Sequence, residues 1–122
     1  MISDADKLDI LAYIMSRSFV YGSPDRVHLG VGVQTNNTVF NTTSGDIFVG
    51  DGTILAHGVM VLTGRHEFEN GHLKEHGDTP PDGFDIHIGS GCWIGSGVII
   101  SGGVTIGDNV KIGAGAVVTK DI

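Results

Sequence analysis

Residues 88–122, cut into sixes, read IGSGCW, IGSGVI, ISGGVT, IGDNVK, IGAGAV and VTKDI. Ile88, Ile94, Ile100, Ile106, Ile112 and Val118 share one frame. About a quarter of the chain is Ile, Val or Leu, so six consecutive hits in one frame arise by chance on the order of once in a few thousand. The period is therefore structural. Four positions further on in each unit stand Cys92, Val98, Val104, Val110, Ala116 and Ile122, small or β-branched, with Gly, Ser, Asn and Asp between them. A helix needs apolar positions three and four apart, and hairpins need strands of about five residues with turns of varied length. A strict six fits neither. It fits a coil of short strands forming the sides of a triangular prism, with the frame residue pointing inward and Gly or Asn taking positive φ at the corners. Three units, about 18 residues, close one turn.

Upstream the frame returns in another phase. Val49, Leu55 and Val61 take the first position and Ile47, Thr53 and Val59 the fifth, with Val31 and Thr43 extending it backward. From Val61 to Ile88 is 27 residues, which six does not divide. A loop near residues 64–85 must leave the coil. It reads GRHEFENGHLKEHGDTPPDGFD, polar and broken by Pro80 and Pro81, and carries His66, His72 and His76. Before the coil, Ser3 is placed to cap a helix with Leu8, Leu11 and Met15 on one face, ending ahead of Gly22, Ser23 and Pro24. The expected organisation is all-β: a short helical cap over residues 1–24 that covers the prism's open top, then a β-helix over 25–122 with one extruded loop.

Composition narrows the function. The 122 residues suffice for one core, and 20 of them are glycines, as a coil full of corners demands. A net charge of -7, with seven Lys and Arg scattered singly, leaves no basic stripe for nucleic acid or an anionic membrane. No apolar run reaches the length of a membrane span, and the start, Met1, Ile2, Ser3, Asp4, lacks the features of a signal peptide. A cytoplasmic location is the expectation. Cys92 is the single cysteine, so no internal disulfide forms and no thiolate zinc site is expected.

The segments TGRHEFENG (63–71), IGSGCWIGSG (88–97) and GGVTIGDNVKIGAGAVVTKDI (102–122) resemble the hexapeptide-repeat acyltransferases, in particular the galactoside and maltose O-acetyltransferase branch. The likeness covers most of residues 27–122. It implies a left-handed parallel β-helix, a homotrimer with active sites between subunits, and acetyl transfer from acetyl-CoA to a hydroxyl of a sugar-like acceptor. Through it, His66 becomes the general base. The chemistry is sound, since a sugar hydroxyl is a poor nucleophile until a base removes its proton, and imidazole titrates near neutrality. Trp93 matches a tryptophan beside the acceptor and CoA pocket, and the hexad count sets it at a corner. Ser96 matches a position whose backbone amide helps hold the oxyanion. Ala114, Thr119 and Lys120 match positions lining the CoA tunnel, and Asn41 an asparagine that binds the acceptor. The bland alternatives are a solvated loop histidine for His66, an interface tryptophan for Trp93 and turn residues for Asn41 and Ser96.

Relatives continue past VVTKDI with a proline-containing stretch, further coil and a basic segment that helps hold the nucleotide end of CoA. In the last third of this sequence only Lys111 and Lys120 are basic, so weak donor binding is expected. Two rival readings stay open. One is a non-catalytic or truncated β-helix scaffold. The other is a carbonic-anhydrase-like hydratase, in which histidines drawn from His57, His66, His72, His76 and His87 hold zinc between subunits; a short fixed ligand spacing on coil strands, which that class uses, is missing.

Overall fold

The computed structural model describes residues 2–74 and 79–122. It is a left-handed parallel β-helix with three faces. The first face stacks Phe19–Tyr21, Val39–Asn41, Met60–Leu62, Ile99–Ser101 and Val117–Val118. The second stacks Val27–Leu29, Ile47–Val49, Ile86–Ile88 and Thr105–Ile106, and the third Gln34–Asn36, Ile54–His57, Trp93–Ile94 and Lys111–Ile112. Every pairing in these sheets is parallel.

The register puts like on like. Val20, Phe40, Val61, Ile100 and Val118 form one inward ladder. Val49, Ile88 and Ile106 form the second, and Leu55, Ile94 and Ile112 the third. With Val59, Val98, Cys92 and Val104 at the corners they make one continuous buried core. The hexads from Ile88 onward thus do what their period implies, one strand and one corner per six residues. Corners turn on positive φ at Gly52, Gly91, Gly97 and Gly115 and at Asn109, residues that enter this region at low cost. At one corner the buried Thr53 hydroxyl donates to the Gly89 carbonyl (2.7 Å) and accepts from the Cys92 N–H (3.1 Å), whereas at another the buried Thr38 Oγ1 has no partner among the described residues.

The backward extension of the frame through Val31 and Thr43 is corrected. Val31 is 82% exposed, and the inward residues of the early turns are Val20, Val27, Val33 and Phe40. The cause lies at the corner between the first and second faces. Ile100 to Ile106 crosses it in six residues, but Val20 to Leu29 and Phe40 to Val49 each take nine, and Val61 to Ile88 takes 27. Three extra residues keep every strand paired and break the six-residue count.

At the N-terminus a helix spans Asp4–Ser16, and the Ser3 hydroxyl accepts from the Asp6 N–H at 3.1 Å, capping it as expected. Leu8 and Leu11, anticipated against the open end of the prism, are 68% and 52% exposed. Within one chain that apolar face meets solvent. Among the described residues no helix is long and apolar enough to cross a membrane.

Ile100 sits mid-ladder with no exposed surface, between Val61 and Val118. Ile100→Ala is expected to lower the free energy of unfolding by about 3 kcal/mol and Ile100→Val by about 1 kcal/mol, measured by urea denaturation.

Candidate functional site

The extruded loop leaves after Leu62 and re-enters at Ile86. Three successive turns are clasped where it does so. The Arg26 guanidinium bonds Asp46 Oδ1 at 2.5 Å, the Pro81 carbonyl at 2.8 Å and Asp82 Oδ1 at 2.8 Å, joining the corners of the first two coils to the loop's returning limb. Asp46 also takes His28 Nε2 at 2.9 Å through its other oxygen, and its N–H donates to Asp85 Oδ1 at 2.8 Å. The hydrogen bond from His28, and then that from Arg26, hold the Asp46 carboxyl below its ordinary value. At the loop's base the Arg65 N–H donates to the Ser44 hydroxyl (3.2 Å), while the Arg65 guanidinium lies over the Phe84 ring, 4.8 Å from its centroid.

This anchoring sets His66 beside the first face. Tyr21, Asn41 and Leu62 occupy the outer position of three consecutive rungs there, the neighbours of the inward Val20, Phe40 and Val61. Together with Thr43, Gly64, Arg65 and Thr79 they and His66 line an open groove of about 400 Å³. Two donors fix the Asn41 amide: the Thr43 N–H (3.0 Å) and hydroxyl (2.7 Å) both point at Oδ1, so Nδ2 faces away from them as a donor. Gly64 is required for this closeness. A Cβ there would lie 2.7 Å from Thr43 Oγ1 and 2.8 Å from Asn41 Oδ1. The Thr63 hydroxyl completes the seam, donating to the Asn41 carbonyl (2.8 Å) and accepting from the Ser44 N–H (3.1 Å). His66 itself is exposed.

Trp93, Ser96 and Ala114 meet elsewhere. With Ala56, Gly95, Lys111, Ile112 and Gly113 they line a slot of about 230 Å³ on the third face and the corner after it. The expectation that Trp93 occupies a corner is corrected: it lies on a strand, paired with Ile54 above and Lys111 below, and the residue is 52% exposed. The strand takes the last and first residues of consecutive hexads, so the residue before each inward Ile faces out from a flat side. Ser96 does stand at a corner, where its carbonyl accepts from the Gly115 N–H (2.9 Å). Gly95 keeps the coils close enough to shape the slot, since a Cβ would come within 2.5 Å of the Ala114 nitrogen.

Of the residues singled out from sequence, the structure therefore gathers His66 with Asn41, and Trp93 with Ser96 and Ala114, on different sides of one prism. Thr119 and Lys120 join neither lining. They follow Val117–Val118 at the same corner as the loop's exit, two rungs beyond Thr63. Tyr21, Thr43 and Thr79 in the groove, and Ala56 in the slot, went unrecognised as site residues in the sequence, and Lys111 was noted only as one of two cations in the last third. Tyr21 was not readable from spacing, since it stands twenty residues before Asn41, one early turn of the coil that the hexads alone would make shorter. Among the described residues no three His, Cys, Asp or Glu side chains converge as a metal site, and His76 lies outside them.

The six-residue units of this β-helix place it among the hexapeptide-repeat proteins, and residues 85–120 match the family described as bacterial transferase hexapeptide (six repeats). The solved structure of a maltose O-acetyltransferase from Clostridium difficile 630 is similar to the chain throughout. It has 31% sequence identity and a TM-score of 0.66, over 100% of this chain and 70% of that one. The chain belongs to the hexapeptide-repeat acetyltransferases of the maltose and galactoside O-acetyltransferase branch, and its activity is that of an acyltransferase. No curated protein sequence matches it.

The Arg26–Asp46–His28 clasp makes stability depend on pH. The folded carboxyl of Asp46 binds a proton less readily than the unfolded one, whose value is 3.8. Its stabilisation is complete above that value and is lost as pH falls through the lower folded one. Urea titrations are expected to show Asp46→Asn less stable than the wild type at pH 7, with the gap closing in strong acid.

Proposed function

We propose that the protein is an acetyl-CoA-dependent O-acetyltransferase acting on a hydroxyl of a sugar or sugar-linked acceptor, with His66 as general base and Trp93, Ser96 and Ala114 in the donor site. The observation that carries this reading is the groove where His66 stands among hydrogen-bonding side chains. Asn41, Tyr21, Thr43 and Thr79 are suited to orient a polyhydroxyl acceptor against an exposed imidazole. The solved relative is by name a maltose O-acetyltransferase, in keeping with a sugar acceptor.

The donor half fits a thioester with a slender, uncharged arm. The slot is narrow and lined mostly by small residues, Ala56, Gly95, Gly113 and Ala114, beside the Trp93 ring. No backbone acceptor takes the Ser96 N–H among the described residues, which leaves it to meet a developing oxyanion. In the reaction, His66 accepts the proton of the acceptor hydroxyl as its oxygen bonds to the acyl carbon. The C–S bond then breaks and the departing thiolate regains a proton from the imidazolium, so the base is restored.

Because the two half-pockets lie on different sides of the prism, one chain does not bring base and donor together. A trimer in which the groove of one copy faces the slot of its neighbour resolves this. The outer surface of the first face supports it: Phe19, Val39, Met60, Ile99 and Val117 run as an apolar ladder over five rungs, with Phe19 59% and Val117 62% exposed. Thr119 and Lys120, at the corner of the His66 side, would then approach the donor from the opposite subunit.

His66→Ala is expected to reduce thiol release from acetyl-CoA, in the presence of a sugar acceptor, by at least ~10²-fold without changing the melting temperature. Unaltered turnover would remove His66 from the chemistry.

A further inference from the structure

The first face ends in an aromatic residue that the fold itself leaves unused. Phe19–Tyr21 is the outermost strand of that sheet, so no rung of it lies above Tyr21, and the rung below sets Asn41 in register with it. Tyr21 stands in the outer row and is 59% exposed. Several other rings on the surface have partners. On the second face His28, Phe48 and His87 stack rung on rung, with centroids 4.6 and 4.7 Å apart and planes within 14° and 2° of parallel. Phe84 takes the Arg65 guanidinium and Trp93 the Lys111 ammonium, each 4.8 Å from the ring centroid. Among the described residues neither a ring nor a cation rests on Tyr21.

Its position decides what that free face can meet. Apart from His66, Tyr21 is the only ring lining the groove, with Asn41 one rung below it and Leu62 one rung further. Rungs lie about 4.8 Å apart, so Tyr21 and Leu62 are about 10 Å from each other, with the Asn41 amide between them. Because Thr43 engages Oδ1, Asn41 presents Nδ2 as a donor. The wall therefore offers apolar surface at two heights and a hydrogen bond in the middle. A pyranose carries the matching pattern. Its equatorial hydroxyls rim the ring and its axial C–H groups cover the faces; in a β-glucopyranoside every substituent is equatorial, and both faces are apolar. An open-chain polyol has the hydroxyls without the face.

We propose that Tyr21 is a specificity-determining residue of the acceptor groove, whose ring stacks on the apolar face of a pyranose and so selects cyclic sugars over open-chain polyols. The inference rests on the acceptor assignment of the groove made above and narrows that acceptor from a polyhydroxyl compound to a ring. Stacking removes an exposed aromatic face and a set of C–H groups from water together, while Asn41 donates to a hydroxyl on the rim and His66 receives the proton of the one that reacts. Tyr21 supplies binding and no chemistry, so its loss falls on KM.

The test compares thiol release from acetyl-CoA with methyl β-glucopyranoside and with glucitol, an open-chain hexitol, as acceptors. The wild type is expected to favour the glucoside in kcat/KM. Tyr21→Ala is expected to reduce that preference about tenfold through the KM for the glucoside, and Tyr21→Phe, which keeps the ring and loses the hydroxyl, to retain it. Equal falls for both acceptors in Tyr21→Ala would mean that the residue only shapes the groove. A Tyr21→Phe protein as impaired as Tyr21→Ala would mean that the phenol hydroxyl binds and the ring face does not. Either result overturns the proposal, as does a wild type that acetylates glucitol as readily as the glucoside. Thiol release with neither acceptor, from a chain that binds acetyl-CoA, would overturn the acceptor assignment of the groove and the proposal with it.

Discussion

Each coil of this protein must hydrogen-bond to the coil above and below it at the fixed spacing of paired strands, about 4.8 Å. Everything else is arranged around that demand. A residue added within a strand would flip its side chains to the wrong face, so long additions leave at corners. Here those fall at one corner, that between the first and second faces, three residues in each of the early turns and the whole loop in the third, while the strands carry only a one-residue shift of register between Gln34–Asn36 and Ile54–His57. Stacking the irregularities lets them bond to one another. Arg26 reaches from the first corner through Asp46 of the second to Pro81 and Asp82 of the loop, and the loop that bears His66 departs from an anchored base.

The same geometry explains why the candidate site residues are divided. A prism turns each strand away from the next, so Asn41 on the first face and Trp93 on the third do not share a pocket. Flat outer faces suit association, and one outer row of the first face, from Phe19 to Val117, is apolar over five rungs. On the reading proposed here, the acceptor groove and the donor slot become one site only where copies meet. The exposed Leu8 and Leu11 of the N-terminal helix add further apolar surface that one chain leaves uncovered.

Sequence reading reaches the fold through the last six hexads, where Ile88 to Val118 keep count without interruption. It loses phase upstream because a nine-residue corner preserves pairing while breaking the period, which is why Val31 looked inward and is exposed. The loop was legible from its length and polarity. Its small hairpin, Phe68–Glu69 against His72–Leu73, went unread, although Asn70-Gly71 carries the signal, with φ values of 53° and 77° that are those of a tight hairpin turn. His66 and Trp93 stood out through resemblance, but their placement did not. Which residues share a pocket depends on which rungs align, and spacing gave that only where turns were regular. Lys111 was visible as a charge and anonymous as a partner of Trp93, because the contact runs between coils.

In the proposed function His66 of one copy works with Trp93 of another. Subunit mixing tests it most directly. His66→Ala and Trp93→Ala proteins, each expected to be strongly impaired alone, are dissociated, combined in equal amounts and reassembled, and acetyl transfer is then measured. A site shared between neighbours in a ring of three regains about a quarter of wild-type activity, since that is the fraction of junctions with both residues intact. Activity that stays at the level of the separate variants would mean that base and donor site belong to the same chain, and the division of the site between subunits would be wrong.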